Sequence, residues 1–263
     1  LSGNPEGLFA VPLAFADGLM DFKLTLDPFR VTLGQLTLFD EGQRVTVRGL
    51  AEAADAGWNV ALDAEMERIA ARRVVELWPI RLAAKTRAWL QENLLAGEAF
   101  NARGAFRLRP GAAPVFSLGF EFRDAAVRFL KSMPPITGGA GHALLENFTF
   151  TLSASRGTVA AAQGGPVSVA GSAMRVDDIR VKPAIGRFDL KTESTITAAL
   201  SLLDQPPLEV MRKAGRGIDL AEGQARAETR LVLPFRKGLT IADVDYRATA
   251  QLSGVRSGTI VPG

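Results

Sequence analysis

Hydrophobic and polar residues alternate along most of this chain with a period of two. The pattern is clear at residues 147–154, where Phe148, Phe150 and Leu152 alternate with asparagine, threonine and serine residues. Successive side chains of a β-strand point to opposite sides of a sheet, so this alternation predicts a strand with one apolar face and one polar face. Similar segments lie around residues 21–26, 36–38, 44–48, 59–63, 106–109, 116–123, 167–169, 179–181, 188–190, 196–200, 231–235 and 244–252.

Turn-forming residues separate these predicted strands at intervals of roughly ten residues. They are Asp-Glu-Gly at 40–42, Arg-Pro-Gly at 109–111, Arg-Gly at 156–157, Gly-Gly-Pro at 164–166 and Arg-Lys-Gly at 236–238. A series of strands with regular turn signals favours antiparallel pairing of sequence neighbours. We therefore predict a mainly β fold, either a long antiparallel meander or an open, barrel-like sheet.

Two segments have the residue spacing of short helices instead. In residues 83–97, Ala84, Ala88 and Leu95 recur near helical spacing, and Gly97 is a candidate helix end. Residues 205–215 contain two prolines near their start and a basic segment before Gly215, which is typical of a helix. A short turn at 71–79 is expected before the first of them. The fold should therefore contain two or three short helices, near residues 71–96 and 206–215.

The composition indicates an ordered protein, because 47% of its 263 residues are hydrophobic and 22% are charged. The net charge is only +3 and no dense Lys/Arg block occurs, which argues against nucleic acid as a partner. The absence of cysteine excludes thiolate chemistry and Cys-based zinc sites. No apolar run reaches the roughly 18 residues that a membrane-spanning helix needs. The chain begins at Leu1 without Met or a leader, which indicates a segment of a longer protein.

Few residues are candidates for catalysis or ligand binding. His142 is the only histidine and no nucleophile motif accompanies it, so we interpret it as a turn or strand-edge residue. The glycines of ITGGAGH at 136–142 lack the Gly-Lys-Ser/Thr ending of a phosphate loop, and we predict a flexible connection there. Asp177 and Asp178 are adjacent, and a solvated turn fits them better than a shared metal ion.

Carboxylate pairs and aromatic residues leave two further possibilities. A pair of carboxylates for glycoside hydrolysis stays open, because their separation in space is not readable from a sequence. Trp78, Trp89 and the phenylalanines are interpreted as core or groove lining rather than as a platform for stacking nucleic-acid bases. The sequence therefore predicts no catalytic residue, no metal and no cofactor.

Several stretches resemble the AsmA-like family of bacterial envelope proteins, in its YhdP-type branch, which is related to TamB. ELWPIRLAAKTRAWLQENLLAG at 76–97 is similar to the Trp-Pro and Thr-Arg-x-Trp-Leu stretch of that family. FEFRDAAVRFLKSMPPITGGAGHALLENFTFTLSASRGTV at 120–159 resembles its repeated unit of an aromatic strand, a Pro-Pro turn and a strand ending in Gly-x-Val. GGPVSVAGSAMRVDDIRVKP at 164–183, and ALSLL at 199–203 before QPPLEVMRKAG, continue the similarity. The resemblance covers roughly residues 70–260.

The resemblance implies an elongated, strongly curved antiparallel sheet that is open along one side and has an apolar interior. Proteins of this family are anchored by an N-terminal helix in the inner membrane and extend across the periplasm. They are thought to move phospholipid between the inner and outer membranes and so to support the outer-membrane barrier. For this chain, the resemblance implies a non-catalytic, periplasmic segment of such a groove, with phospholipid as ligand and a membrane or membrane proteins as partners at the ends of the full-length protein.

The apolar sides of the predicted strands are the candidate lining of the groove. The candidates are Phe22, Leu24, Leu26, Phe106, Leu108, Phe116, Leu118, Phe120, Phe122, Phe148, Phe150, Leu152, Phe188, Leu190, Leu231, Leu233, Phe235 and Tyr246. A closed hydrophobic core would use the same residues, so the sequence leaves groove and core as alternatives. Two other function classes stay open: a scaffold that pairs with client β-proteins through exposed strand edges, and a carbohydrate-active enzyme.

Overall fold

The alternating segments fold into long strands. A computed structural model describes residues 2–257 of the chain except residues 5, 6, 8, 11, 41 and 237. The strands are β1 (Ser2–Gly3), β2 (Leu13–Ala14), β3 (Asp17–Leu26), β4 (Phe29–Asp40), β5 (Gln43–Ala54), β6 (Gly57–Ala70), β7 (Leu94–Leu108), β8 (Val115–Val127), β9 (Ile136–Glu146), β10 (Thr149–Ala160), β11 (Pro166–Ser168), β12 (Ala173–Val176), β13 (Ile185–Thr195), β14 (Glu222–Pro234) and β15 (Asp245–Arg256). The helices are α1 (Ala71–Glu76), α2 (Ala84–Asn93), α3 (Ile196–Leu203) and α4 (Val210–Lys213), and Ile241–Asp243 form a 3-10 turn.

Thirteen of these strands belong to one antiparallel sheet in which most neighbours in space are also neighbours in sequence. The order is β15-β14-β13-β11-β10-β9-β8-β7-β6-β5-β4-β3, while β12 pairs with β10 and β13, and β1 pairs with β2 alone. Within the described residues, β3 and β15 each pair with a single strand, so the sheet is open and has two edge strands. The prediction of a mainly β, open antiparallel fold with short helices is confirmed.

The chain divides into two compact units. Unit 1 comprises residues 1–92, 96–122 and 142–150, and unit 2 comprises residues 93–95, 123–141 and 151–263. Strands β7 to β10 contribute residues to both. The prediction that residues 1–263 are one segment of an elongated, curved groove stays a prediction.

The segment around residues 196–200 is helix α3 and not the predicted strand. A short apolar run fits either period, and the tertiary contacts select the helix. The Thr195 hydroxyl accepts a hydrogen bond from the backbone N–H of Ala198 at 3.0 Å, which stabilises the first turn. Ile196 and Leu200, four residues apart on the helix, then pack against Ala221 and Ala225.

The strand predicted at 179–181 is also wrong, because these residues lie in a turn and the strand is β12, at Ala173–Val176. A local hydrogen bond closes the turn, since the backbone N–H of Arg180 donates to the Asp178 carboxylate at 2.8 Å. The helix predicted at 205–215 is limited to α4, because residues 206–208 form a turn in which two prolines lack the N–H that a helix needs.

Three predictions are wrong in which glycine was expected to form a loop, to form a turn or to end a helix. ITGGAGH belongs to strand β9, where a Cβ on Gly139 would lie 3.2 Å from the carbonyl oxygen of Ala125, so glycine permits a close approach of two strands. Gly157 lies inside β10 rather than at a turn, and Gly97 lies inside β7 because α2 already ends at Asn93. The turns predicted at 109–111 and 164–166 separate strands, and two predicted turns include residues 41 and 237, outside the described residues.

Candidate functional site

In unit 1, one face of the sheet is apolar across five neighbouring strands. Residues that pair directly on adjacent antiparallel strands lie on the same face. Phe22 pairs with Leu33, Leu33 with Gly49, Gly49 with Leu62, and Leu62 with Phe106. The rows on either side are equally apolar. The larger members of this unit 1 apolar face are Met20, Phe22, Leu24, Leu26, Phe29, Val31, Leu33, Leu36, Leu38, Val45, Val47, Trp58, Val60, Leu62, Met66, Phe106 and Leu108.

The opposite face of the same strands carries ion pairs between neighbouring strands. Arg30 bonds Glu52 at 2.5 Å, and Arg107 bonds Asp63 at 2.7 Å. Arg44 and Glu67 approach to 2.6 Å. Charged side chains are rarely buried in proteins, so the polar face of unit 1 is its solvated face. Leu19, which pairs with Thr37 on this side, is an apolar exception.

The large side chains of the unit 1 apolar face are not enclosed in a core. Phe22 is 54% exposed, Leu26 75% and Trp58 50%. The buried hydrophobic residues of the described chain are mostly alanine and valine, and none of its large side chains is fully buried. An extended exposed apolar surface of this kind is unusual for a monomeric soluble domain.

The candidate residues of β8 and its neighbours lie close to this face. The Cδ1 of Leu118 is 3.9 Å from the position of a Cβ on Gly104, which pairs with Ala64 within the apolar rows. Phe116 lies two residues before Leu118, on the same side of β8. Its ring meets that of Phe148 edge-on, with centroids 4.9 Å apart. Phe120 and Phe122 follow at alternate positions of β8, Phe150 lies on β10, and all three are half-buried in unit 1. Leu152, also on β10, belongs to unit 2 and is half-buried as well.

Unit 2 has an apolar face of its own. One row joins four strands, because Met174 pairs with Phe188, Phe188 with Leu231, and Leu231 with Tyr246. The Phe235 ring packs edge-on against Phe188 with centroids 6.2 Å apart. The unit 2 apolar face consists of Met174, Val176, Phe188, Leu190, Leu231, Leu233, Phe235, Tyr246, Ala248, Ala250 and Leu252.

Helix α3 covers one end of the unit 2 apolar face, and Val176 of this face is buried as well, whereas Phe235, Tyr246 and Leu252 are exposed. Ala225, which pairs with Leu252, is buried under Ile196 and Leu200 of the helix. At the other end Tyr246 remains 59% exposed. The reverse face of the same strands is charged, with Arg230 bonded to Asp189 at 3.0 Å and Arg226 to Glu193 at 3.1 Å.

A family model described as YhdP protein matches residues 7–258. The chain belongs to the YhdP family. Membership of this family of envelope proteins agrees with the resemblance found in the sequence. No curated protein and no solved structure shows significant similarity to this YhdP-family chain. Among the described residues, none of the helices has the length and hydrophobicity needed to cross a bilayer.

The polar candidates of this YhdP-family chain are not members of the apolar faces. His142 is in β9 and lines a shallow depression of about 400 Å³ with Asn101, Arg103, Ser117 and Glu121. Asn101 donates to the Glu121 carboxylate at 2.9 Å, and Phe120 and Leu144 also line the depression. Within the part of the chain that the structure describes, no three acidic or histidine side chains cluster as metal ligands.

Asp177 and Asp178 lie in a solvated turn as predicted, and each is bonded to arginine. Asp177 accepts hydrogen bonds from Arg175 at 2.5 Å and from Arg187 at 2.9 Å. These bonds hold the pKa of the Asp177 carboxyl below its usual value. The Arg180 side chain, and then its backbone N–H, lower the pKa of Asp178 to about 2. Both aspartates are therefore occupied by ion pairs rather than arranged around a metal.

The two tryptophans considered as a stacking platform lie outside the strands that carry the apolar faces. The Trp78 indole N–H donates to the carbonyl of Leu82 at 2.6 Å, between α1 and α2. Trp89 is an exposed residue of α2. Sequence reasoning missed Leu33, Val47 and Trp58 as members of the unit 1 apolar face, although their alternation with polar neighbours was a usable signal.

Proposed function

We propose that this chain is a non-catalytic lipid-binding and lipid-transfer segment of a YhdP-family envelope protein, located in the periplasm. Its apolar faces contact the acyl chains of glycerophospholipid as the lipid moves between the inner and outer membranes, in support of outer-membrane integrity. The observation that carries the proposal is the exposed apolar face in each unit, set against a charged reverse face. No cofactor takes part, because sliding along an apolar surface needs no chemistry.

The composition of the faces suits acyl chains. A two-chain lipid with about 30 methylenes costs on the order of 20 kcal/mol to expose to water, at about 0.8 kcal/mol per methylene. A carrier has to offset this cost with apolar surface that is not interrupted by charge. The residues named as members of the two apolar faces include no acidic or basic side chain. On this side of unit 1, charged residues come at the ends of the strands, where Asp40 pairs with Gln43 and Arg68 with Phe100.

The test is to purify the chain, extract it with organic solvent and measure bound phospholipid by mass spectrometry. Wild-type protein should carry lipid in near stoichiometric amount. Phe22→Asp should lower it several-fold, because a carboxylate on the apolar face must be desolvated when an acyl chain covers it. Phe120→Asp and Phe150→Asp should act in the same direction. The circular dichroism spectrum of each variant should stay rich in β-structure.

Leu19→Asp is the matched control. Leu19 lies on the same strand as Phe22 and is similarly exposed, but its side chain belongs to the polar face. This variant introduces the same charge at a comparable position and should leave bound lipid unchanged. Equal lipid in wild type and in the Phe22→Asp, Phe120→Asp and Phe150→Asp variants would contradict the proposal.

A second candidate function is a scaffold that pairs with client β-proteins. It is favoured by β15, an edge strand of twelve residues that is exposed at every position. Free backbone groups along such an edge can pair with an added strand. Wild-type protein whose extracts contain no lipid, but which binds an extended peptide with a gain of β-structure, would favour the scaffold over lipid transfer.

A further inference from the structure

Two connecting segments of unit 2 are joined at one end of its strands. Residues 128–135 connect β8 to β9, and residues 204–216, which include α4, lead from α3 towards β14. The Ser132 hydroxyl donates to the carbonyl of Pro206 at 2.5 Å and so links the two segments. We call these two segments, together with Leu203 at the end of α3, the loop patch.

The loop patch presents apolar side chains to solvent. Phe129, Leu130, Leu203 and Val210 are each between 42% and 44% exposed. Other residues anchor the segments, because Met211 is buried and the backbone N–H of Arg128 donates to the carbonyl of Asn93 at 2.9 Å. The four exposed apolar side chains are thus not required to hold the segments in place.

The loop patch is also basic. Its positive side chains are Arg128, Lys131, Arg212, Lys213 and Arg216, and its negative side chains are Asp204 and Glu209. Both acidic groups are used inside the patch. Asp204 accepts a hydrogen bond from the backbone N–H of Arg212 at 2.8 Å, and Glu209 bonds the side chain of Arg212 at 2.9 Å. Five basic and two acidic residues give the loop patch a net charge of +3 beside its exposed apolar residues.

We propose that the loop patch docks on the surface of an anionic phospholipid bilayer. Exposed Phe and Leu side chains enter the boundary between headgroups and acyl chains, while lysine and arginine bind the phosphate groups above it. Apolar residues interspersed with basic ones fit this interface better than they fit nucleic acid, which offers phosphates without an apolar layer. A role of this surface in loading or releasing lipid rests on the proposed function, whereas docking itself does not.

The test is sedimentation of the full chain with vesicles of phosphatidylcholine alone and of phosphatidylcholine mixed with phosphatidylglycerol. Binding should be stronger to the mixed vesicles and should weaken as salt is raised. The double variant Lys131→Glu with Arg216→Glu should bind them more than about tenfold more weakly, since each basic charge near an anionic surface contributes about fivefold. Phe129→Ser with Leu130→Ser should weaken binding to the mixed vesicles as well.

Arg230→Glu with Arg247→Glu is the matched control, because these paired residues lie on the charged face of unit 2 and change the net charge by the same amount. This control should bind vesicles as wild type does. Equal loss in the control, or equal binding to both kinds of vesicle, would overturn the assignment. Phe22→Asp separates the two proposals, since this variant should lose extractable lipid and keep vesicle binding. Conversely, the loop patch variants should lose vesicle binding and keep extractable lipid, because they do not change the apolar faces.

Discussion

At the scale of single residues, the charged side chains of this protein are arranged as local pairs on solvated surfaces. Asp178 illustrates the arrangement, because the Arg180 guanidinium bonds both of its carboxylate oxygens, at 2.9 Å and 2.7 Å, and the Arg180 backbone N–H adds a third bond. A carboxylate with several donors is favoured over its protonated form. The pair therefore shapes a turn and does not form a reactive site.

The Asp178 pair gives a prediction about pH. Its pKa should be about 2 in the folded protein, below its usual value of 3.8, and Arg180→Gln should raise it towards that value. Because the folded pKa is the lower one, the pair contributes stability above about pH 4 that is lost as the pH falls towards 2. Carboxyl chemical shifts followed by NMR across this range measure it. An identical pKa in wild type and Arg180→Gln would show that the guanidinium bonds of Arg180 do not form in solution.

At the scale of elements, helix α3 is held in place by specific contacts at its N-terminus. Its N-terminus is held by Thr195, whose hydroxyl accepts from the N–H of Ala198 and donates to the carbonyl of Gly164 at 2.8 Å. A Cβ on Gly164 would lie 2.4 Å from the backbone nitrogen of Ala198, and Gly164 has a φ of +83°. Only glycine fits this contact, so the loop before β11 and the start of α3 are mutually dependent.

Substitution of Gly164 should therefore displace α3 from the end of the unit 2 apolar face. Gly164→Ala should lower the free energy of unfolding by about 2–4 kcal/mol, from backbone strain and overpacking together. Gly165→Ala is the control, because Gly165 also has a positive φ of +95° but no atom within 4 Å of its Cβ position. It should cost only about 1–2 kcal/mol. Denaturant titration compares the two, and equal losses would argue against the contact with α3.

At the scale of the whole chain, each unit separates apolar from charged residues on the two faces of its strands and leaves the apolar face largely uncovered. Directly paired rows such as Phe22, Leu33, Gly49, Leu62 and Phe106 extend this separation across strands that are far apart in sequence. Burial of these side chains would stabilise the protein, so their exposure is unusual for a folded domain and is the observation on which the proposed lipid binding rests.

The exposed faces predict that lipid-free protein binds a hydrophobic dye. Anilinonaphthalene sulfonate should fluoresce strongly with delipidated native protein, and added phospholipid should displace it. Phe22→Asp and Tyr246→Asp should each lower the signal, and the double variant should lower it by the sum, because the residues lie in different units. Leu19→Asp should leave the dye signal unchanged. Native protein without dye fluorescence would show that the apolar faces are covered in solution.

Much of the site was readable from the sequence. Phe22, Leu24 and Leu26 were predicted to share an apolar side, and the pairing of β3 with β4 places them in apolar rows. Phe188, Leu231 and Tyr246 likewise meet in one row of unit 2. Whether these residues bind lipid stays a prediction.

The sequence by itself determined which side of each long strand is apolar, because the two-residue period is a local property of an extended chain. It did not determine that residues 196–200 form a helix, since that outcome depends on Ala221 and Ala225, which are distant in sequence. The place of ITGGAGH inside β9 likewise depends on the close approach of Ala125. Only the tertiary structure decided whether the apolar sides are covered. Burial depends on which elements pack against each other, and the local pattern of residues does not contain this information.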